Sequence, residues 1–476
     1  MKPIMVSSDS KRYGRGLILV MPVLGVLALS AAAQGGLTDG VKKAVLPNGL
    51  TVLVLENHKA PVATLNVFYR VGSRNERFGH TGLSHLLEHL MFRGTKKLAP
   101  EEFSNIIQES GGRDNAFTTA DFTDYFEIIN RAHLDVPIYL EADRMANFAP
   151  KGFASEKDVV IEERRLRTDD NPEDALYEAT QAQAYVEHPY HWPVIGWMHD
   201  IQGLTLKDAL DYHAIYYSPQ NAIVVAVGDF NADHVMSQIR QSFAPIKNQT
   251  GPPPPVTEIE PPQQGERRLT LEHAADLPVV AEGYHVPNHA NASDAFALEL
   301  ASQVLAGGKS SRLYRDLVEQ KRLVVDVDAD YDMTAFDPTM FWFTAQMRPG
   351  VQPQAVIQAL DQEVAQLANT PVGARELQKA KNQEQASFVY GQDSVFREAM
   401  MLGQYEMIGG YKQLDLYIPS IDKVTAADIQ RVVRKYLVPS NLTLGILKPT
   451  GLLPHPAGGG AGGPVSHAPA AWGSPS

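Results

Sequence analysis

Residues 204–228 read LTLKDALDYHAIYYSPQNAIVVAVG, and residues 424–448 read VTAADIQRVVRKYLVPSNLTLGILK. Set side by side without a gap, they share Thr205/Thr425, Asp208/Asp428, Tyr216/Tyr436, Pro219/Pro439 and Asn221/Asn441. Each copy has the pattern of a helix capped by Thr with Asp three residues on, then a Pro turn, then an apolar strand. The two windows close two successive segments of the chain. We therefore predict a duplicated α+β domain of roughly 200 residues, an ordinary size for one folding unit.

Upstream of the first copy, Ala44–Glu56 reads as strand, turn and strand around Asn48-Gly49. Val62–Val71 is a second strand, rich in β-branched and aromatic residues. Helical periodicity covers Thr81–Phe92 and Pro100–Ser110, and Gly111-Gly112 stops the latter. Asn115–Ile129 reads as one or two strands, followed by helices over Leu134–Met145 and Ser155–Thr168, the last with Ser155 as its cap. The stretch APIKNQTGPPPPVTEIEPPQQGE (244–266) has four consecutive prolines that neither a helix nor a central strand can hold. An extended linker over 246–266 thus separates a domain at 41–245 from its homologue at 267–448. Residues 449–476, dominated by Gly, Pro, Ala and Ser, read as a disordered tail.

Bulk composition narrows the chemistry. The chain is 44% hydrophobic and 20% charged, has no cysteine and carries a formal net charge of −13. Disulfides, thiolate metal sites and cysteine nucleophiles are thereby excluded, so any metal must rest on His and carboxylates. The acidity disfavours nucleic acid as a partner. Lys2, Lys11, Arg12 and Arg15 precede the apolar run LILVMPVLGVLALSAAA (17–33). Basic start, apolar run and small-residue ending describe a signal peptide over residues 1–33. An uncleaved inner-membrane anchor is the less favoured reading, because Pro22 interrupts the run. The expectation is export across the inner membrane, to the periplasm if the source is Gram-negative.

Within the helical stretch, His85-Leu86-Leu87-Glu88-His89 places two imidazoles and a carboxylate at i, i+4 and i+3 of one face. Two neutral imidazoles so spaced can bite one zinc ion and leave Glu88 beside the water that the metal acidifies. This is the inverted form of the zincin motif, with Glu88 as general base. Leu83, Leu86, Leu87 and Leu90 turn the helix towards a core, where an embedded polar trio calls for a purpose.

A catalytic zinc takes a third protein ligand. The charged helix Glu156–Arg165 is the best source. Glu156 and Glu163 stand two turns apart on one face, and Glu162 points about 100° from Glu163. On its own this segment reads rather as a charged, solvated surface helix.

GLSHLLEHLMFRGT (82–95), GGRDNAFTTADFTDYF (111–126), EKDVVIEERR (156–165) and GGKSSRLYRDL (307–317) together resemble the pitrilysin or insulinase-type zinc metallopeptidases. The shorter branch, which holds mitochondrial processing peptidase and its bacterial relatives, is the nearest in pattern. The resemblance runs from about residue 41 to 448. It implies two homologous α/β sandwich domains, and one zinc per chain held by His85, His89 and Glu163. Glu88 would be the base, and Glu156 an acid that orients the site. Asn115, Ala116 and Phe117 would belong to an edge strand on which an extended peptide substrate lies. The implied activity is endoproteolysis of extended or unfolded peptides. A non-catalytic scaffold subunit of the same family is the alternative.

One departure bears on partners. Active members place an Arg, and a Tyr seven residues later, near the substrate. Anchored on Ser311-Arg312-Leu313-Tyr314, those positions here are Val318 and Val325. Valine offers no hydrogen bond to a carbonyl or a developing oxyanion. Arg315, Arg322 or Tyr331 could stand in only after a local shift. The expected remedy is a heterodimer with a homologous subunit that supplies the Arg and Tyr but no zinc; a homodimer is the runner-up.

Overall fold

A computed structural model describes residues 36–451. The apolar run at 17–33 and nearly all of the predicted tail lie outside them. Two mixed α/β halves follow one another. In the first, β1 (Lys42–Val45), β2 (Thr51–Glu56), β3 (Val62–Tyr69), β4 (Arg113–Thr118), β5 (Thr123–Asn130) and β6 (Ala222–Gly228) form one sheet, ordered β1-β2-β6-β3-β5-β4. In the second, β7 (Arg267–His273), β8 (Val279–Val286), β9 (Val324–Tyr331), β10 (Thr339–Met347) and β11 (Leu442–Pro449) are ordered β7-β11-β8-β10-β9. With β1 set aside, the orders correspond strand for strand. Their polarity corresponds as well: β2/β6 and β7/β11 are parallel, and the other pairs antiparallel.

The repeated windows behave alike in both halves. Thr205 and Thr425 cap the helices Leu206–Tyr216 and Ala426–Tyr436 in reciprocal boxes with Asp208 and Asp428. After each Pro turn an asparagine amide donates to the last carbonyl of its helix, Asn221 to Tyr216 at 2.9 Å and Asn441 to Tyr436 at 2.8 Å. Each amide also reaches a neighbouring strand, Asn221 at the Arg70 carbonyl and Asn441 at the His285 carbonyl. The shared residues are thus a staple that fixes helix against sheet.

β6 (AIVVAVG) is buried along its whole length, which explains its unbroken apolar run. Ala222, Val224 and Ala226 join the core beneath the first half's own helices. Ile223, Val225 and Val227 face the other way, into a core shared with the second half. Each of the latter three is worth about 1.5–3 kcal/mol when fully buried.

What covers that second face is an exchange of helices. Val395–Ile408, from the second half, packs on β3 and β6 of the first sheet. Pro172–Ala184, from the first half, packs on β7, β8 and β11 of the second. The contacts are close enough to require glycine: a Cβ on Gly403 would strike the Phe68 ring, and one on Gly445 would strike Thr180. Polar links frame the joint. Asn57 Nδ2 donates to Glu398 at 2.5 Å, Lys43 pairs with Glu406, and His285 Nε2 lies 3.0 Å from the Ala184 carbonyl.

The structure departs from the sequence reading in three places. The Phe153–Arg164 helix starts two residues before Ser155, with Gly152 in the left-handed region at its cap, and Ser155 Oγ donates back to the Gly152 carbonyl. That helix gives way to a π turn over Arg165–Asp169 before the predicted end at Thr168. Order also persists beyond residue 448: Pro449 pairs with His273, and Ala275 N donates to the Gly451 carbonyl at 2.9 Å. The proline-rich stretch between Phe243 and Arg267 holds no helix or strand, yet it is anchored. Glu260 accepts the backbone N–H groups of Val186, Glu187 and His188.

Candidate active site

The helix Leu83–Leu90 is held from its first turn. Gly82 has φ +83°, and a Cβ there would meet the Ile195 carbonyl, so only glycine allows this approach. No side chain of the N-cap residue is available. The free N–H groups go instead to Glu76, which accepts Gly82 N at 2.7 Å and Ser84 N at 2.6 Å. Burial pushes the Glu76 carboxyl up to about 8, the two N–H bonds pulling the other way. Ser84 Oγ and Tyr212 Oη, 2.9 Å apart, tie the helix to Leu206–Tyr216. Leu83, Leu86, Leu87 and Leu90 lock one face into the first-half core. The opposite face carries His85 and His89 towards the Phe153–Arg164 helix, and Glu88 towards β4.

There Glu163 meets both imidazoles. Its Oε2 is 3.2 Å from His89 Nε2, and its Oε1 is 3.7 Å from His85 Nε2. One ligand atom from each residue lies within 4.8 Å of the others. Glu162 turns away, exposed and paired with Arg165. Glu156, two turns before Glu163, accepts from His89 Nδ1 at 3.1 Å and pairs through its other oxygen with Arg93 Nε at 2.6 Å. Arg167, in the π turn, reaches Glu163 Oε1 at 3.0 Å. Glu88 points elsewhere: its Oε2 accepts from Thr118 Oγ1, at the end of β4, at 2.5 Å.

The donor set suits zinc. Tetrahedral coordination with bonds of about 2.0–2.1 Å separates ligand atoms by about 3.3 Å, and the two Glu163 oxygens approach His85 and His89 to 3.7 and 3.2 Å respectively. Burial holds His85 down to about 4, so this imidazole is neutral and its lone pair free. Burial also works against protonating His89, but Glu163, Glu88 and Glu156 outweigh it and raise that group. Burial would raise Glu163, yet His89, His85 and Arg167 hold it at about 2, an anion at neutral pH. Burial pushes Glu88 up to about 7, opposed by the Thr118 bond.

β4, with Asn115, Ala116 and Phe117, is the free edge of its sheet, paired only with β5 among the described residues. Asn115 is exposed, Ala116 is buried, and Phe117 packs against Phe122 and Phe126 at ring separations of 5.8 and 6.5 Å. The edge therefore offers backbone N–H and C=O groups. In the second half, Val318 packs against the shared core and Val325 lies partly exposed on β9. Tyr331 is already committed, its hydroxyl donating to the Pro287 carbonyl at 2.6 Å. Thr118, Arg93, Glu76 and Arg167 were not singled out for a role by the sequence reading. For Thr118 a signal existed, since alternation along a strand puts it on the same side as Ala116.

Comparison with known proteins places the chain in a family. The family described as Insulinase (Peptidase family M16) matches residues 51–196, and the one described as Peptidase M16 inactive domain matches residues 203–384. The chain is 36% identical over 433 residues to zinc protease PqqE of Helicobacter pylori, covering 90% of this chain and 97% of that one. It is 28% identical to an uncharacterised zinc protease of Mycobacterium leprae, over 86% of this chain and 92% of that one. Among solved structures, a protease from Helicobacter pylori superposes with a TM-score of 0.83 at 35% identity, covering 86% of this chain and 99% of that one. A peptidase M16 inactive domain from Pseudomonas fluorescens shares the fold, with a TM-score of 0.77 at 18% identity, over 87% and 100% of the two chains. By sequence match and by fold, the chain belongs to the insulinase family, peptidase family M16.

Proposed function

We propose that the chain is a zinc-dependent endopeptidase acting on extended or unfolded peptides, with His85, His89 and Glu163 as the metal ligands. The observation that carries this reading is the meeting of the three donors on two packed helices, with Glu88 one helical turn from His85 on the same face. A zinc ion bound there supplies Lewis acidity, lowering the pKa of water and polarising a peptide carbonyl. Glu88 takes a proton from the attacking water and returns it to the departing amine as the C–N bond breaks. Glu156 holds His89 by its Nδ1 and so fixes which nitrogen faces the metal. The free edge at Asn115–Phe117 receives the substrate as an added strand, through backbone hydrogen bonds that ask little of its sequence.

Val318 and Val325 offer no donor to the developing oxyanion at the two positions where the resemblance places Arg and Tyr, and Tyr331 is occupied. This favours a chain that works with a homologous partner supplying Arg and Tyr. The experiment is to purify the chain alone, count its zinc, and assay an unstructured peptide with and without chelator. The assay is then repeated with a similar protein co-purified from the host. About one zinc per chain, and chelator-sensitive cleavage that rises on adding the partner, are the expected results. A chain that binds no zinc sinks the enzyme reading, and full activity alone, unchanged by the partner, sinks the heterodimer.

A further inference from the structure

Resting on that reading, we infer that Thr118 is the positioning residue for Glu88, and that it leaves Oε1 as the oxygen that handles the proton. Thr118 Oγ1 lies 2.5 Å from Glu88 Oε2, in the range of a hydroxyl donating to a charged oxygen. The direction of the bond follows from its neighbours. Thr123 Oγ1, 3.5 Å from Thr118 Oγ1, gives its own proton to the Val71 carbonyl at 2.9 Å. Thr118 donates its single proton to Glu88 Oε2, which lies 2.5 Å away against 3.5 Å for Thr123 Oγ1. No other hydrogen bond reaches the Glu88 carboxyl among the described residues. Without this contact the carboxylate would be free to turn about its side-chain torsions.

The placement adds to the role. Thr118 ends β4, three residues after Asn115, and pairs in register with Thr123 across the hairpin. Its β-branched side chain is stiff at χ1, so the strand backbone dictates where the hydroxyl points. One edge strand thus both offers backbone to a substrate and aims the base at it. A peptide laid on β4 and the proton acceptor are held in one frame.

The test compares Thr118→Val, which deletes the hydroxyl but keeps the shape, with Thr118→Ser, which keeps the hydroxyl. In the zinc-loaded chain, Thr118→Val should lower kcat about 10- to 100-fold, as loss of an outer partner of a metal site does, with KM changed less than about twofold. Zinc content and melting temperature should hold, and Thr118→Ser should recover most of the rate. In the metal-free chain, the Glu88 carboxylate stretch, isolated by subtracting the Glu88→Gln spectrum, should shift in Thr118→Val and not in Thr118→Ser. An unchanged kcat, a loss carried by KM, or a loss that Ser fails to recover would overturn the inference. Should Thr118→Val disturb the strand, Thr118→Ala takes its place under the same criteria. Glu88→Gln serves as the control. If it stays active, the peptidase mechanism itself has failed; if it is inactive while Thr118→Val is not, only the role of Thr118 has failed.

Discussion

Glu156 Oε1 lies 3.1 Å from His89 Nδ1, whereas His85 Nδ1 is buried without a hydrogen-bond partner among the described residues. Only His89 has its Nδ1 braced by an acid; the Nδ1 side of His85 is held by packing alone. Glu156→Gln should therefore weaken zinc about 10- to 100-fold by disturbing His89. Glu163→Gln should weaken it far more than Glu162→Gln, because Glu162 faces solvent beside Arg165. Zinc titration against a competing chelator measures all three. A Glu162 variant that loses zinc as Glu163→Gln does would move the ligand by one residue.

Glu88→Gln should keep zinc and lose at least about a hundredfold in turnover, since the proton acceptor goes while the ligands remain. Metal analysis and peptide cleavage on one sample decide it. Near-normal cleavage would remove Glu88 from the mechanism.

A pH dependence of stability is built into the second half. Burial works against the charge of Asp294, but Tyr436, Arg431 and Lys435 outweigh it and hold the carboxyl at about 2. A carboxyl with a lowered folded pKa stabilises above its unfolded pKa of about 3.9 and loses that contribution as pH falls through the folded value. Asp294→Asn should thus melt lower than the parent at pH 7, and the gap should narrow between about pH 4 and pH 2. Melting curves of both proteins across that range test the sign. A gap independent of pH would mean that the charge contributes nothing.

Packing between the halves makes a further demand. A methyl group on Gly403 enters the Phe68 ring, which is fully buried and packed against Phe122. Gly403→Ala should cost about 1–3 kcal/mol despite the gain in helix propensity. The same change at Gly251, which a Cβ would leave free of contacts, should cost little. Denaturant unfolding of the two variants separates the cases.

Much of this architecture could be read from the sequence. The paired windows at 204–228 and 424–448 disclosed the duplication because caps, Pro turns and strand alternation are local rules. The spacing of His85 and His89 alone put them on one face. The arrival of Glu163 was another matter, since no periodicity tells which face of a distant helix will be presented; it came only with the family resemblance. The start of that helix was misplaced because Ser155 looks like a cap, whereas Gly152 in the left-handed region does that work. The exchanged helices were invisible for a related reason. Which sheet Pro172–Ala184 and Val395–Ile408 each cover is a tertiary choice that no local pattern records.

That exchange bears on how the chain comes apart. Each sheet depends for one of its faces on a helix encoded in the other half, so neither half can complete its own interior. Unfolding should be a single concerted event, and a cut in the largely exposed proline run at 252–255 should not separate the products. Two polypeptides made separately, 36–251 and 256–451, should each be poorly folded alone and regain structure on mixing. The joint that makes the halves interdependent would then also make them a complementing pair.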